Sequence, residues 1–212
     1  TALLTVAQPA APPTPPVVPA ALPIPATPIT YGRPTVGLAA AAVQYGENTV
    51  LSGTTKPGVL VNVYGFTAPS TRAARLGQVR ANSSGVYTFT GRYLANTSLY
   101  VIVPRLGMSP VVRQGVRAKL NLTTTKTASN SYAFTGSTAP RRPGQLVTIY
   151  FLTATGKAIF VRTYTDARGN YRVSRRVKVY DRSAYTVFAH LDSGVVLLGN
   201  NSAAQRITIS RP

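Results

Sequence analysis

The sequence predicts an all-β protein in which two tandem β-sandwich domains follow an extended, proline-rich N-terminal arm. A strand-and-turn pattern that occurs twice predicts the two sandwiches, and the alternation of apolar and polar residues predicts the strands. Ten of the seventeen prolines lie between Pro9 and Pro34, which sets the arm apart. We therefore assign residues 1–34 to the arm, residues 35–117 to the first sandwich and residues 118–212 to the second.

The repeated pattern begins at Thr49–Tyr64 in the first copy and at Ser131–Tyr150 in the second. In each copy a strand-like run reaches a glycine, a Pro-Gly turn follows, and a second run ends at a tyrosine. Both copies then continue to a Gly-x-Tyr strand, at Gly85–Tyr87 and Gly169–Tyr171. Each copy has about the length of a small β-sandwich, so the repeat predicts a duplicated domain.

Seven strands are expected in each sandwich, separated by turns rich in Gly, Asn, Asp and Pro. The strands expected in the first sandwich are Val36–Val43, Thr49–Gly53, Val59–Thr67, Leu76–Ala81, Val86–Tyr93, Ser98–Pro104 and Val111–Val116. Those expected in the second are Leu120–Thr125, Ser131–Gly136, Gln145–Thr153, Ala158–Thr165, Tyr171–Val179, Ala184–Leu191 and Arg206–Ser210, with Val195–Leu198 as an extra edge. Arg175 interrupts an otherwise apolar inward set, and we expect a β-bulge there.

The arm is expected to be extended polyproline II, because proline fixes φ and lacks a backbone donor. Two complete sandwiches leave no place for its apolar residues, so we expect these residues to contact a neighbouring subunit. They are Leu3, Leu4, Val6, Val17, Val18, Leu22, Ile24 and Ile29. Thr1–Gln8 could add as a strand to a neighbour's sheet edge. The alternative is a stiff linker from a wall or membrane anchor.

The chain is strongly basic, with 23 Lys and Arg against 4 Asp and Glu and a net charge of +19. Arg33 is the only charged residue of the arm, so the charge lies on the two sandwiches. This predicts a polyanionic partner, such as a wall polymer, an acidic glycan, a lipid headgroup or a nucleic acid. The alternative is a solvated surface that maintains solubility. The candidate polyanion-binding residues are Arg141, Arg142, Arg172, Arg176 and Lys178.

The sequence predicts no catalytic, cofactor or metal site and no small-molecule substrate. The absence of cysteine excludes disulfides, thiolate metal sites and cysteine nucleophiles. The one histidine, His190, precedes Leu191-Asp192 at a predicted strand end, and that pairing is expected to be structural. The acidic residues all lie in predicted turns: Glu47, Asp166, Asp181 and Asp192. We therefore expect a non-enzymatic protein.

No apolar run is long enough to span a membrane as a helix. The chain starts at Thr1 and not at Met, which suits a mature chain whose signal peptide has been removed. The expected location is therefore secreted, at the extracellular cell surface.

The repeat resembles the bacterial immunoglobulin-like repeats of secreted and cell-surface proteins, of actinobacterial type, over residues 35–210. In the first copy the matching residues are Gly53-x-x-x-Pro57-Gly58, Val61-x-Val63-Tyr64, Ser84-Gly85-x-Tyr87 and Tyr100-x-x-Val103. In the second they are Gly136, Pro143-Gly144, Val147-x-Ile149-Tyr150, Arg168-Gly169-x-Tyr171 and Tyr185-x-x-Phe188. The resemblance implies an immunoglobulin-like fold and a role as a spacer, adhesive stalk or assembly module. The strong positive charge departs from the family's usual pattern.

Three functions are therefore open. The first is a self-assembling subunit of a surface filament, sheath or lattice, with the arm packed on the next copy. The second is a basic cell-wall module that binds teichoic acid, glycan or nucleic acid, with the arm as a spacer. The third is a structural protein of a virion surface or tail.

Overall fold

The described part of the chain is built from β-strands, which confirms the predicted all-β class with two immunoglobulin-like sandwiches in tandem. The computed structural model describes residues 31–152, 156, 158–177 and 184–209, with the backbone alone at 158–160. The predicted arm contacts from Leu3 to Ile29 lie outside these residues. Both sandwiches belong to one compact unit that begins at Tyr31.

The first sandwich contains nine strands in two sheets. They are β1 (Gly37–Leu38), β2 (Ala42–Gln44), β3 (Asn48–Thr54), β4 (Leu60–Thr67), β5 (Ala74–Arg80), β6 (Val86–Arg92), β7 (Thr97–Val103), β8 (Gly107–Met108) and β9 (Val112–Arg117). One sheet has the order β1-β3-β6. The other has the order β2-β9-β7-β4-β5, and β8 also pairs with β7.

The second sandwich repeats this plan. Its strands are β10 (Lys119–Leu120), β11 (Thr123–Ala128), β12 (Ser131–Ala139), β13 (Leu146–Leu152), β14 (Ala158–Tyr164), β15 (Asn170–Arg176), β16 (Ala184–Leu191), β17 (Asn200–Asn201) and β18 (Gln205–Thr208). In one sheet β12 pairs with β10, β11 and β15. The other has the order β14-β13-β16-β17, and β18 also pairs with β16.

Alternating residues of the central strands form the core. In β4 the side chains of Val61 and Val63 are fully buried, while Leu60 is exposed on the opposite face. In β13 Val147 and Ile149 occupy the same buried positions. Burying a side chain of this size stabilises the fold by roughly 1.5–3 kcal/mol, so the period-two pattern in the sequence fixes which face of each strand turns inward.

In the first sandwich a tyrosine anchors the incoming chain against a glycine. The hydroxyl of Tyr87 donates a hydrogen bond to the carbonyl oxygen of Thr35. Gly53 lies beneath this bond, and a Cβ at that position would overlap the same carbonyl and lie 2.5 Å from the tyrosine hydroxyl. Burial raises the pKa of Tyr87 to about 12. A glycine is therefore required at this repeated position, because only a residue without a Cβ lets the carbonyl of Thr35 and the hydroxyl of Tyr87 meet over it.

The second sandwich contains the same arrangement. The hydroxyl of Tyr171 donates to the carbonyl oxygen of Asn121, and a Cβ on Gly136 would overlap both groups. Burial also raises the pKa of Tyr171. The two Gly-x-Tyr strands of the sequence thus perform the same structural task.

The turn before each of these tyrosines is closed by one side chain. The Oδ1 atom of Asn82 accepts the backbone N–H groups two and four residues later, both at 2.9 Å. Asp166 Oδ1 does the same in the second sandwich, both at 2.8 Å. Asx turns of this kind place the following glycine, Gly85 or Gly169, at a positive φ that other residues rarely adopt.

A stacked aromatic pair lies on the second sheet of each sandwich. Tyr64 stacks on Tyr100 with ring centroids 5.6 Å apart, and Tyr150 stacks on Phe188 at 5.4 Å. Strand register pairs the same residues. The expected correspondence of Tyr185 with Tyr100 is therefore wrong by three residues, because Tyr185 is buried in the core.

The expected single strand Val36–Val43 is also wrong. Its first part, β1, pairs antiparallel with β3, whereas β2 pairs parallel with β9 in the opposite sheet. Between them residues 39–41 are exposed alanines, which supply no buried side chain to hold the chain in one sheet. The expected strand Leu120–Thr125 likewise divides, into β10 and β11.

Two other local expectations fail. The register between β12 and β15 runs without a shift from Ser131–Arg176 to Ser137–Asn170, so there is no bulge at Arg175. Arg175 is exposed near the end of its strand, where a charge needs no burial. Val195–Leu198 is not an edge strand of its own sandwich; its Leu198 forms an isolated bridge with Arg117.

We expect Tyr87→Phe and Tyr171→Phe each to lower the free energy of unfolding by about 1–3 kcal/mol, because a buried carbonyl loses its donor. The pKa of Tyr87 is raised by folding from 10.0 to about 12. The free energy that protonated Tyr87 contributes to folding is thus complete below pH 10 and is lost as pH rises through 12. Urea unfolding followed by circular dichroism, at neutral pH and above pH 10, measures both effects.

Tyr164→Phe is the matched control, because this tyrosine is 67% exposed. It should change stability by less than about 0.5 kcal/mol. Tyr87→Phe unfolding at the same urea concentration as the unmodified protein would contradict the anchoring role.

Candidate functional site

A single residue links the two sandwiches. β9 ends at Arg117, β10 begins at Lys119, and Ala118 between them is fully buried. The amide of Ala118 donates to the carbonyl oxygen of Leu198 (3.2 Å). The amide of Leu198 donates in turn to the carbonyl oxygen of Val116 (2.8 Å). The link is therefore hydrogen-bonded on its backbone to the second sandwich.

Asn96 bonds to both sandwiches at once. Its backbone amide donates to the carbonyl oxygen of Val196 (2.8 Å), and its Nδ2 donates to that of Val195 (2.9 Å). Its Oδ1 accepts the amide of Val116 (2.9 Å). A side-chain amide supplies both a donor and an acceptor, which this position requires. We call the contact formed by Asn96, residues 115–118 and residues 195–198 the joint.

The loop that forms the joint is longer in the second sandwich than in the first. A buried serine bonds back to the preceding strand in both copies: Ser109 to Val101, eight residues away, and Ser202 to Ala189, thirteen residues away. The additional residues include Leu198, whose Cδ1 would lie 2.5 Å from a Cβ on Gly115. An insertion in one copy thus supplies the contact between the copies.

A crevice of about 400 Å³ lies beside the joint. Its apolar lining comes from both sandwiches: Ala41, Phe66, Ala68, Pro69, Val195 and Leu198. Arg113 also lines it. Val195 is 77% exposed, so the joint carries an apolar residue that its own contacts do not cover.

The predicted polyanion-binding residues occupy two regions. Arg172 and Arg176 are exposed on the same outward face of β15. Arg141 is exposed in the turn before β13, whereas Arg142 is half-buried and its Nη1 has no hydrogen-bond partner among the described residues. Lys178 lies outside the described residues.

An open groove of about 700 Å³ lies on the outer face of the sheet that contains β12 and β15. We call it the outer-face groove. Its polar lining includes Thr135, Ser137, Tyr164, Asp166, Asn170 and Arg172. Strand register places Thr135 opposite Arg172 and Ser137 opposite Asn170.

Asp166 supplies a carboxylate to this groove. The backbone amide of Asn170, together with that of Arg168, holds the pKa of Asp166 below its ordinary value. The group is therefore ionised at neutral pH, and its Oδ1 is held in the turn by these bonds.

His190 is engaged through both ring nitrogens. Its Nδ1 lies 2.6 Å from Oδ1 of Asn201, and its Nε2 lies 3.1 Å from Oδ1 of Asp192. Its ring packs edge-on against Tyr150. This geometry leaves neither nitrogen directed at a hydroxyl nucleophile.

Across the described residues no three His, Cys, Asp or Glu side chains are grouped to hold a metal ion, and no helix there could cross a membrane.

No local pattern in the sequence marks Asn96 as a contact residue or predicts the joint. The detectable signal is the difference in loop length between the copies, because the core serines Ser109 and Ser202 align once the repeat is placed on the strands. Val195, one partner of Asn96, lies 99 residues away, beyond the reach of any local pattern.

No protein-family model matches the chain, and no curated protein is similar to it in sequence. Solved structures of tandem β-repeats are similar to it. One is the two fibronectin type III domain segment of chicken tenascin, at 14% identity and a TM-score of 0.47, covering 86% of this chain and 100% of that one.

Two further structures are similar at lower scores. A tetra-tandem repeat from the extending region of a large adhesion protein has 17% identity and a TM-score of 0.37, over 84% of this chain. The chain spans 49% of that repeat's length. The FN1–FN3 domains of chicken CNTN1 have 12% identity and a TM-score of 0.33, covering 85% of this chain and 68% of that one.

We expect Asn96→Ala to loosen the joint while both sandwiches stay folded. The substitution removes one donor and one acceptor and leaves two backbone partners unpaired, at a cost of about 1–3 kcal/mol. Small-angle X-ray scattering should show a wider distribution of dimensions, while circular dichroism stays unchanged. Asn48→Ala, at an exposed strand end, is the control. Scattering from Asn96→Ala that matches the unmodified protein would show that the joint does not depend on this residue.

Proposed function

We propose that the protein is a non-enzymatic, extracellular structural protein. Its two sandwiches act as one stiff subunit, and its N-terminal arm joins that subunit to another copy in a surface filament, sheath or lattice. The hydrogen-bonded joint supports this proposal most directly, because a subunit that transmits force or fixes spacing must not bend at the link between its domains.

The direction of the chain through the first sandwich also supports an arm that reaches another copy. The amide of Thr35 bonds to the carbonyl oxygen of Thr54 at one end of β3 (3.0 Å), so the arm is attached there. The other end of β3, Asn48, pairs with Arg92, which leads into Asn96 at the joint. The attachment point and the joint are thus separated by a seven-residue strand, roughly 23 Å long.

We expect the full chain to form assemblies that sediment faster than a monomer, and a variant lacking residues 1–30 to remain monomeric. Loss of the arm removes the apolar residues proposed to pack on the neighbour, so polymer contacts lose their hydrophobic contribution. Analytical ultracentrifugation and negative-stain electron microscopy measure the change.

A length-matched control separates the role of the apolar residues from that of the arm's length. It keeps the prolines and replaces the eight apolar arm residues, from Leu3 to Ile29, with serine. This variant should also be monomeric. Assembly of the truncated chain to the same extent as the full chain would overturn the proposal.

We propose as a second candidate that the second sandwich binds polyanions. Arg172 and Arg176 favour it, because they project from one exposed face and, among the described residues, no acidic side chain forms an ion pair with either of them. Guanidinium groups without a carboxylate partner are suited to bidentate contacts with carboxylate or phosphate.

We expect the Arg172→Thr/Arg176→Thr variant to bind inorganic polyphosphate about tenfold more weakly than the unmodified protein. A plot of log K against log salt concentration should also become less steep, by about one unit of slope for each lost contact. Arg72→Thr/Arg75→Thr removes the same charge from exposed positions of the first sandwich and should change affinity less than about twofold. Equal losses in the two variants would contradict a site on this face.

A further inference from the structure

We propose that the outer-face groove of the second sandwich binds an acidic saccharide chain, with a uronate carboxylate on Arg172 and a sugar ring on Tyr164. This proposal rests on the polyanion-binding function above and names its ligand class and its site. Both residues line the same open groove of about 700 Å³.

Tyr164 presents an aromatic ring to solvent, with 67% of the residue exposed. It ends β14, beside the polar outward side chains of β12 and β15. An aromatic face surrounded by hydrogen-bonding groups suits a ligand that is apolar on its face and polar at its rim. A pyranose ring has this form, with C–H bonds on its faces and hydroxyls at its edge.

The polar rim of the groove is held by strand pairing and by the Asx turn. Ser137 pairs in register with Asn170, and Thr135 pairs with Arg172. Asp166 is fixed by its bonds to the backbone. These groups offer hydroxyl, amide and carboxylate partners to sugar hydroxyls. Because regular strands position them, little conformational entropy is lost on binding.

Arg172 supplies the specificity for an acidic sugar. Within the described residues no acidic side chain forms an ion pair with it. Arg176 lies on the same exposed face of β15, about 13 Å further along the strand. A saccharide chain that follows β15 would therefore meet a second guanidinium, whereas a single sugar would not.

The first sandwich has the same frame and a different lining. In the corresponding strand positions, its register places Arg80, Val86 and Thr88 where the second sandwich has Tyr164, Asn170 and Arg172. The guanidinium of Arg80 donates to the carbonyl oxygen of Gly58 (2.6 Å), and Val86 is exposed. The fold therefore does not require the lining of the second groove.

The test measures binding of the full chain to a hexamer of galacturonic acid by isothermal titration calorimetry, with maltohexaose and inorganic polyphosphate as comparison probes. We expect the acidic hexamer to bind and maltohexaose to bind at least about tenfold more weakly. Tyr164→Ser and Arg172→Thr should each weaken binding of the acidic hexamer about tenfold. Asn170→Val, which installs the residue of the first sandwich, should weaken it several-fold.

Arg75→Thr is the matched control for charge, and thermal unfolding of every variant checks the fold. The saccharide site is supported if Tyr164→Ser weakens binding of the acidic hexamer and leaves binding of polyphosphate unchanged. If Arg75→Thr and Arg172→Thr weaken binding of the acidic hexamer equally and Tyr164→Ser does not weaken it, the proposed saccharide site is wrong. General polyanion binding would then still stand. Binding of neither the acidic hexamer nor polyphosphate would overturn both proposals.

Discussion

The hydrogen bond from a buried tyrosine to a backbone carbonyl beside the first strand of each copy, made across a glycine, fixes the frame of each sandwich. Tyr87 holds Thr35 in this way, and Tyr171 holds Asn121. The bond brings the edge chain against the sheet so closely that no side chain fits beneath it. In the first sandwich this anchors the residues through which the arm enters. In the second sandwich both residues of this bond, Asn121 and Tyr171, also line the outer-face groove.

The two copies share this frame and differ where they meet. The second has a longer segment before its buried serine, and that segment carries the carbonyl oxygens that Asn96 requires. The joint thus combines a short link with a loop present in one copy only. A buried one-residue link has few free dihedral angles, and its backbone groups are already paired, so bending at this point would break hydrogen bonds.

The copies differ again on their outer faces. Positions that the frame leaves free carry an exposed valine and threonine in the first sandwich, Val86 and Thr88, and an asparagine and arginine in the second, Asn170 and Arg172. Because these side chains contribute little to either core, their identities are available for recognition. The structural role proposed for the chain depends on the joint, whereas the proposed binding role depends on these outer-face side chains.

Much of the fold could be predicted from the sequence because its signals are local. The Pro-Gly turns, the Asx turns at Asn82 and Asp166, and the alternation in β4 each depend on residues within a few positions of one another. The charge pattern of the sequence also identified Arg172 and Arg176 as candidate polyanion-binding residues. Prediction from the sequence failed where local signals are weak, as in the exposed alanines at residues 39–41. It also failed where two alignments of the copies match apolar residues equally well, as at Tyr185.

The sequence by itself determined the duplication, the all-β class and the inward face of most strands, because hydrophobic period and turn chemistry act over short distances. Only the tertiary structure decided the joint and the outer-face groove. The joint pairs Asn96 with a loop 99 residues later, and the groove gathers side chains from β12, β14 and β15. Such sites arise from contacts between distant segments, whose positions follow from the packing of whole sheets.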